Sequence, residues 1–212
     1  SHDELGVIFD GLADPLHPTV AVALSSTCLG LRTALQVALG VLKERHEKAK
    51  ALCRQLYKSC AELSGADELQ VIGHLVAGDM ATLGMILRTN GLPRLQYLYL
   101  SDNDFGDAGV QALCELLGRG AAPSLRMLGL SRNNFGPAGA EALAAALGRG
   151  AMPKIEILGL YHNPIGKQGV AALAAPLHLM PALTELALDS CEIGNEGVAS
   201  LVDSLGKDDF KA

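Results

Sequence analysis

Tryptophan is absent from this 212-residue chain, and tyrosine and phenylalanine occur four times each. A core so poor in aromatics must be aliphatic, and with 49% hydrophobic residues there is ample material for one. Disulfides are equally disfavoured. The five cysteines, Cys28, Cys53, Cys60, Cys114 and Cys191, are odd in number, dispersed and without a C-x-x-C pair, which fits reduced thiols in a cytoplasmic or nuclear protein better than a stapled framework. The net charge is −6, with acids and bases interspersed, so the basic stripe that a nucleic-acid partner requires is missing. No apolar run approaches the ~20 residues needed to cross a bilayer, and a secretory leader is not expected. The phosphate-loop, zinc-helix and nucleophile-elbow signatures are all missing, so neither enzymatic chemistry nor a cofactor nor a metal is expected.

What the chain does contain is one phrase written four times. Leu95, Leu98, Leu100, Asn103, Phe105, Gly106, Gly109, Val110 and Leu113 are followed by Leu125, Leu128, Leu130, Asn133, Phe135, Gly136, Gly139, Ala140 and Leu143. The phrase returns from Ile155 with Asn163, and from Leu183 with Cys191 in place of asparagine. The starts are 30, 30 and 28 positions apart. A period of that length describes stacked units, each too small to bury its own apolar side. The alternation of Leu98 and Leu100 with Tyr97 and Tyr99 predicts a short strand with one buried face. The asparagine slot suits a side-chain amide that satisfies buried backbone groups where the chain leaves the strand. Apolar residues at three- and four-residue spacing then predict a helix, ended at Gly118-Arg119-Gly120 and Gly148-Arg149-Gly150.

This phrase resembles the leucine-rich repeats of the ribonuclease-inhibitor type, L-x-x-L-x-L-x-x-[NC]-x-[FI]-G-x-x-G, over residues 92 to 206. The resemblance implies an α/β fold: a right-handed solenoid of four full repeats plus a degenerate N-terminal one at 67 to 91, with its strands on the concave side. Repeats of this kind generally bind other proteins. The expected organisation is a helical segment at 1–34, a long connecting helix at 35–66 and the solenoid at 67–212.

The order Glu4-Leu5, Ile8-Phe9, Leu12 and Cys28-Leu29-Gly30-Leu31-Arg32 is similar to the F-box, a three-helix motif that docks onto the adaptor of cullin ubiquitin ligases. That similarity implies adaptor binding through Leu5, Ile8, Phe9, Leu12 and Leu31. The alternative is that these helices only cap the solenoid, leaving a non-catalytic scaffold or regulatory binding protein. Residues 34 to 64 read as one long helix, with Leu52, Cys53, Leu56, Cys60 and Leu63 on its packing stripe and Lys43 to Lys50 facing solvent.

With the leucines turned inward, the opposite side chains form rows: Tyr97, Met127, Ile157 and Glu185; Tyr99, Gly129, Gly159 and Ala187; Ser101, Ser131, Tyr161 and Asp189; and Asp102, Arg132, His162 and Ser190 at the strand exits. The expected protein-binding residues are Tyr97, Tyr99, Asp102, Met127, Arg132, Tyr161, His162 and Glu185, because tyrosine and arginine on a rigid surface are favoured at binding hot spots. His162 and Cys191 fall in adjacent units, but two such residues alone do not point to a metal or nucleophile site.

Overall fold

The computed structural model describes residues 14–26, 36–73, 75–89, 91–177 and 180–205. Five three-residue strands, β1 (Glu68–Gln70), β2 (Tyr97–Tyr99), β3 (Met127–Gly129), β4 (Ile157–Gly159) and β5 (Glu185–Ala187), form one parallel sheet in sequence order. Each is followed by a helix: α4 (Ala77–Arg88), α5 (Gly106–Leu116), α6 (Pro137–Gly148), α7 (Gly166–Leu177) and α8 (Gly194–Leu205). Each of these helices packs on the next in the series. The result is an α/β repeat fold with strands on one side and helices on the other. Its first unit is the degenerate stretch beginning at Asp67, where Leu69 pairs with Leu98.

Register follows from the pattern. Leu98, Leu128, Leu158 and Leu186 are paired across neighbouring strands, the first three buried and the last half-buried. A one-residue slip would turn all of them to the other face of the sheet. A single apolar cluster runs from Leu16 and Leu52 through every unit to Cys191.

Three α-helices precede the sheet among the described residues: α1 (Thr19–Ser26), α2 (Gln36–Gln55) and α3 (Cys60–Ser64). The single helix expected over 34 to 64 is thus two. Tyr57 adopts a left-handed backbone at φ 53°, and Ser59 starts the second helix. Its Oγ accepts from Glu62 N while Ser59 N donates to the Glu62 carboxylate, a reciprocal cap that makes a new start cheaper than continuation. The Lys43 to Lys50 face is largely solvated as expected, with Glu44–Lys48 and Glu47–Lys50 ion pairs along it. His46 is half-buried, and its Nδ1 donates to the carbonyl of Pro15 at 2.7 Å, tying the N-terminal segment to α2. Leu5, Ile8, Phe9, Leu12 and Leu31 lie outside the described residues.

The second glycine of the phrase has a steric purpose. A Cβ on Gly109 would sit 2.5 Å from Phe105 Cβ, and one on Gly169 would sit 2.4 Å from Ile165 Cγ2 and 2.8 Å from Ala140 Cβ. Only a residue without a side chain lets the first turn of the helix close over the aromatic or isoleucine beneath it. Asp107 then links units: its Oδ1 accepts from Gly136 N and Gly139 N at the start of α6. Carboxylates are favoured at that end of a helix, where backbone N–H groups have no partner within the helix.

Candidate protein-binding face

Buried asparagines hold the strand exits in place. Asn133 is fully buried; its Nδ2 donates to Leu100 O at 2.7 Å and Leu130 O at 2.9 Å, and its Oδ1 accepts from Asn103 N at 2.9 Å. Asn163 repeats this one unit on, donating to Leu130 O and Leu160 O and accepting from Asn133 N at 2.8 Å. Asn103 does the same one unit back, with Val71 O and Leu75 N. Leu100 O and Leu130 O thus each receive two amide donors, and each amide bridges adjacent units. Cys191 fills the last slot with a thiol that donates to Leu160 O at 3.2 Å. Burial raises its pKa. The His162 side chain is exposed, edge-on to Tyr161 with centroids 5.7 Å apart, whereas Cys191 is buried.

The turn that drives each asparagine inward puts its neighbours into the left-handed region. Asp102 and Asp104, Arg132 and Asn134, Ser190 and Glu192, and His162 all have φ between 54° and 60°. For side chains other than glycine this costs ~1–2 kcal/mol per residue, offset here by the buried amide bonds between them. The same geometry projects Asp102, Arg132 and His162 into solvent.

All eight residues expected at the binding face lie on or at the exits of the sheet. The register places Tyr97, Met127, Ile157 and Glu185 side by side, and beside them Tyr99, Gly129, Gly159 and Ala187. Tyr97 and Glu185 are exposed, while Tyr99, Met127 and Tyr161 are half-buried, their rings and chains leaning on the sheet. Arg132 lies 5.7 Å from the Tyr161 ring centroid and 3.7 Å from Asp102, so four exit residues form one chain of charge and aromatic contacts. Gly129 and Gly159 are adjacent and open a trough between Tyr99 and Ala187.

Three features escaped the sequence reading. β1 adds Glu68 and Gln70 to the first two rows. The strand entries carry an ion pair between Arg126 and Glu156 at 2.8 Å, a consequence of their sitting one unit apart at the same position. Ser131, expected to face outward between Ser101 and Tyr161, is 1% exposed. A short side chain beside a tyrosine in the same row sits below the surface that the ring defines.

Among the described residues no group of three or more His, Cys, Asp or Glu side chains is placed to hold a metal ion. No described helix is long and apolar enough to cross a membrane.

A family model described as "Leucine Rich repeat" matches residues 92–114, 121–144 and 180–202. The unit between the second and third matches has the same strand, buried asparagine and helix. No curated protein matches the chain. The chain carries leucine-rich repeats over these stretches.

Proposed function

We propose that this leucine-rich repeat chain is a protein-interaction module that captures a segment of its partner on the strand face. The supporting observation is the register that sets Tyr97, Met127 and Ile157 in one row beside Tyr99 and the Gly129–Gly159 trough. Tyrosines supply large contact area with few rotatable bonds, and hot spots are enriched in them. The asparagine ladder fixes the strands beforehand, so little backbone order has to be gained on binding. At ~4.8 Å per parallel strand the five strands span ~19 Å. That width accommodates a helix or an extended segment more readily than the ~800 Å² footprint of a whole globular partner.

The similarity of the first 34 residues to an F-box extends the proposal to a finer role, a substrate receptor that joins its ligand to a ubiquitin-ligase adaptor. Leu5, Ile8, Phe9, Leu12 and Leu31 would make the adaptor contact. Binding of purified adaptor that is lost when Leu5, Ile8 and Phe9 become polar supports that role, and absence of binding by the intact chain removes it.

The strand-face proposal is tested by the double variant Tyr99→Ala, Tyr161→Ala. Both side chains are partly exposed, so the fold is expected to survive. Partner capture from source cells, identified by crosslinking and mass spectrometry, should fall by 30-fold or more if each ring contributes about 1 kcal/mol or more. Unchanged capture places the binding surface elsewhere.

A further inference from the structure

We infer that the segment taken up by the strand face is cationic, with arginine or lysine side chains laid along the Gly129–Gly159 trough. This rests on the strand face being the binding surface. Two independent observations carry it.

The first is charge. From one residue before each of the five strands to five residues after it stand eight acids and two arginines, a sum equal to the net charge of −6. Arg126 is held by Glu156 and Arg132 lies near Asp102. The other six acids, Asp67, Glu68, Asp104, Glu185, Asp189 and Glu192, are exposed and make no ion pair with a described residue. The remainder of the chain is neutral in sum. One face therefore carries a concentrated negative field that steers and retains a positively charged partner.

The second is a buried hydroxyl. Ser131 Oγ has no hydrogen-bond partner, and it borders the trough, because a Cβ at Gly159 would lie 3.5 Å from it. An enclosed hydroxyl without a partner is unfavourable, and its oxygen has lone pairs to offer. A hydroxyl can both donate and accept, and the negative field of this face selects a donor as its partner. Guanidinium and ammonium groups are donors only, and a long unbranched side chain can lie over two adjacent glycines, which present no side chain of their own. The Tyr161 ring, already 5.7 Å from one guanidinium, offers a cation a face at the end of the trough. A plain apolar segment would satisfy neither observation, and an acidic one would be repelled by the field of the face.

The probe is a display library of random 12-residue peptides, selected against the full chain in 50 mM salt. Enriched peptides should carry several lysines or arginines, and in fluorescence anisotropy one of them should bind about tenfold more weakly to the triple variant Glu185→Gln, Asp189→Asn, Glu192→Gln. Raising salt to 0.5 M should weaken it by a similar factor, and Gly129→Leu, which fills the trough, should abolish binding. Glu141→Gln on the helix side should change nothing. Neutral or acidic peptides that compete at Tyr99 and Tyr161 overturn the cationic assignment and leave the strand-face reading standing. Cationic peptides that respond equally to Glu141→Gln, or no enrichment at all, also overturn it.

Discussion

Replacing Asn133 by alanine isolates the energetic contribution of the ladder. Leu100 O also receives Asn103 Nδ2, and Leu130 O also receives Asn163 Nδ2, so each carbonyl keeps one donor when Asn133 is shortened. What is lost outright is the acceptor for Asn103 N and the bonds from the two amide hydrogens, to Leu100 O and to Leu130 O with Ser131 O beside it. A buried donor deprived of its acceptor costs ~1–3 kcal/mol, and each replaceable bond contributes ~0.5–1.5 kcal/mol net. The expected destabilisation is therefore about 2–6 kcal/mol, measured by urea unfolding followed by circular dichroism. Asn133→Cys, which copies the residue found at Cys191, should recover part of it through a thiol donor. Gln168→Ala on an exposed helix position should stay within about 0.5 kcal/mol. A loss below ~1 kcal/mol for Asn133→Ala, or a loss equal to that of Gln168→Ala, refutes the role given to the ladder.

Two further perturbations probe the packing. Gly169→Ala should destabilise by about 1–3 kcal/mol in the same unfolding assay, since its new Cβ meets Ile165 and Ala140, whereas Gly118→Ala, with open space around it, should be neutral or slightly stabilising. The second perturbation is alkaline pH. Burial pushes the Cys114 thiol up to about 12, from an ordinary value of 9.0. The unfolded chain releases this proton near 9 and the native chain does not, so its contribution to stability is full below pH 9 and declines as pH rises from about 9 toward about 12. Urea midpoints across that range should fall for the native sequence and fall less for Cys114→Ala.

The repeat register was legible because a 30-residue period writes each structural position several times. Leu98, Asn103 and Gly109 each had counterparts to confirm them, and the stretch from 67 to 91 could be read as a degenerate unit even without the full phrase. The break between α2 and α3 was hidden for a physical reason. Leu52, Cys53, Leu56, Cys60 and Leu63 continue at helical spacing across it, because both helices present their apolar sides to one core. Cys53 and Cys60 meet with their sulfurs 3.4 Å apart although they sit on different helices. The signal that announced the break was Ser59-x-x-Glu62, a cap pattern that periodicity outweighed. Ser131 was beyond reach for another reason. Strand alternation says which side a residue faces, and only its neighbours decide whether it is covered.

The same limit applied to charge. Its mixture along the chain suggested an even distribution, yet the repeat period gathers Glu68, Glu185, Asp189 and Glu192 on one side of the molecule, far apart in sequence and related only by register. The eight candidate binding residues could be ordered into rows from the sequence, while the Arg126–Glu156 pair required the side-by-side placement of strand entries to be seen.

The most direct test of the strand-face account is site-specific photocrosslinking from the two sides of the molecule. A photoreactive residue placed at Ala187, on the row beside the glycine trough, should trap the partner, while one at Ala145, exposed on α6, should not. Trapping from Ala145 with none from Ala187 would contradict the account, because it would put the partner on the helices and leave the aromatic and acidic rows unused.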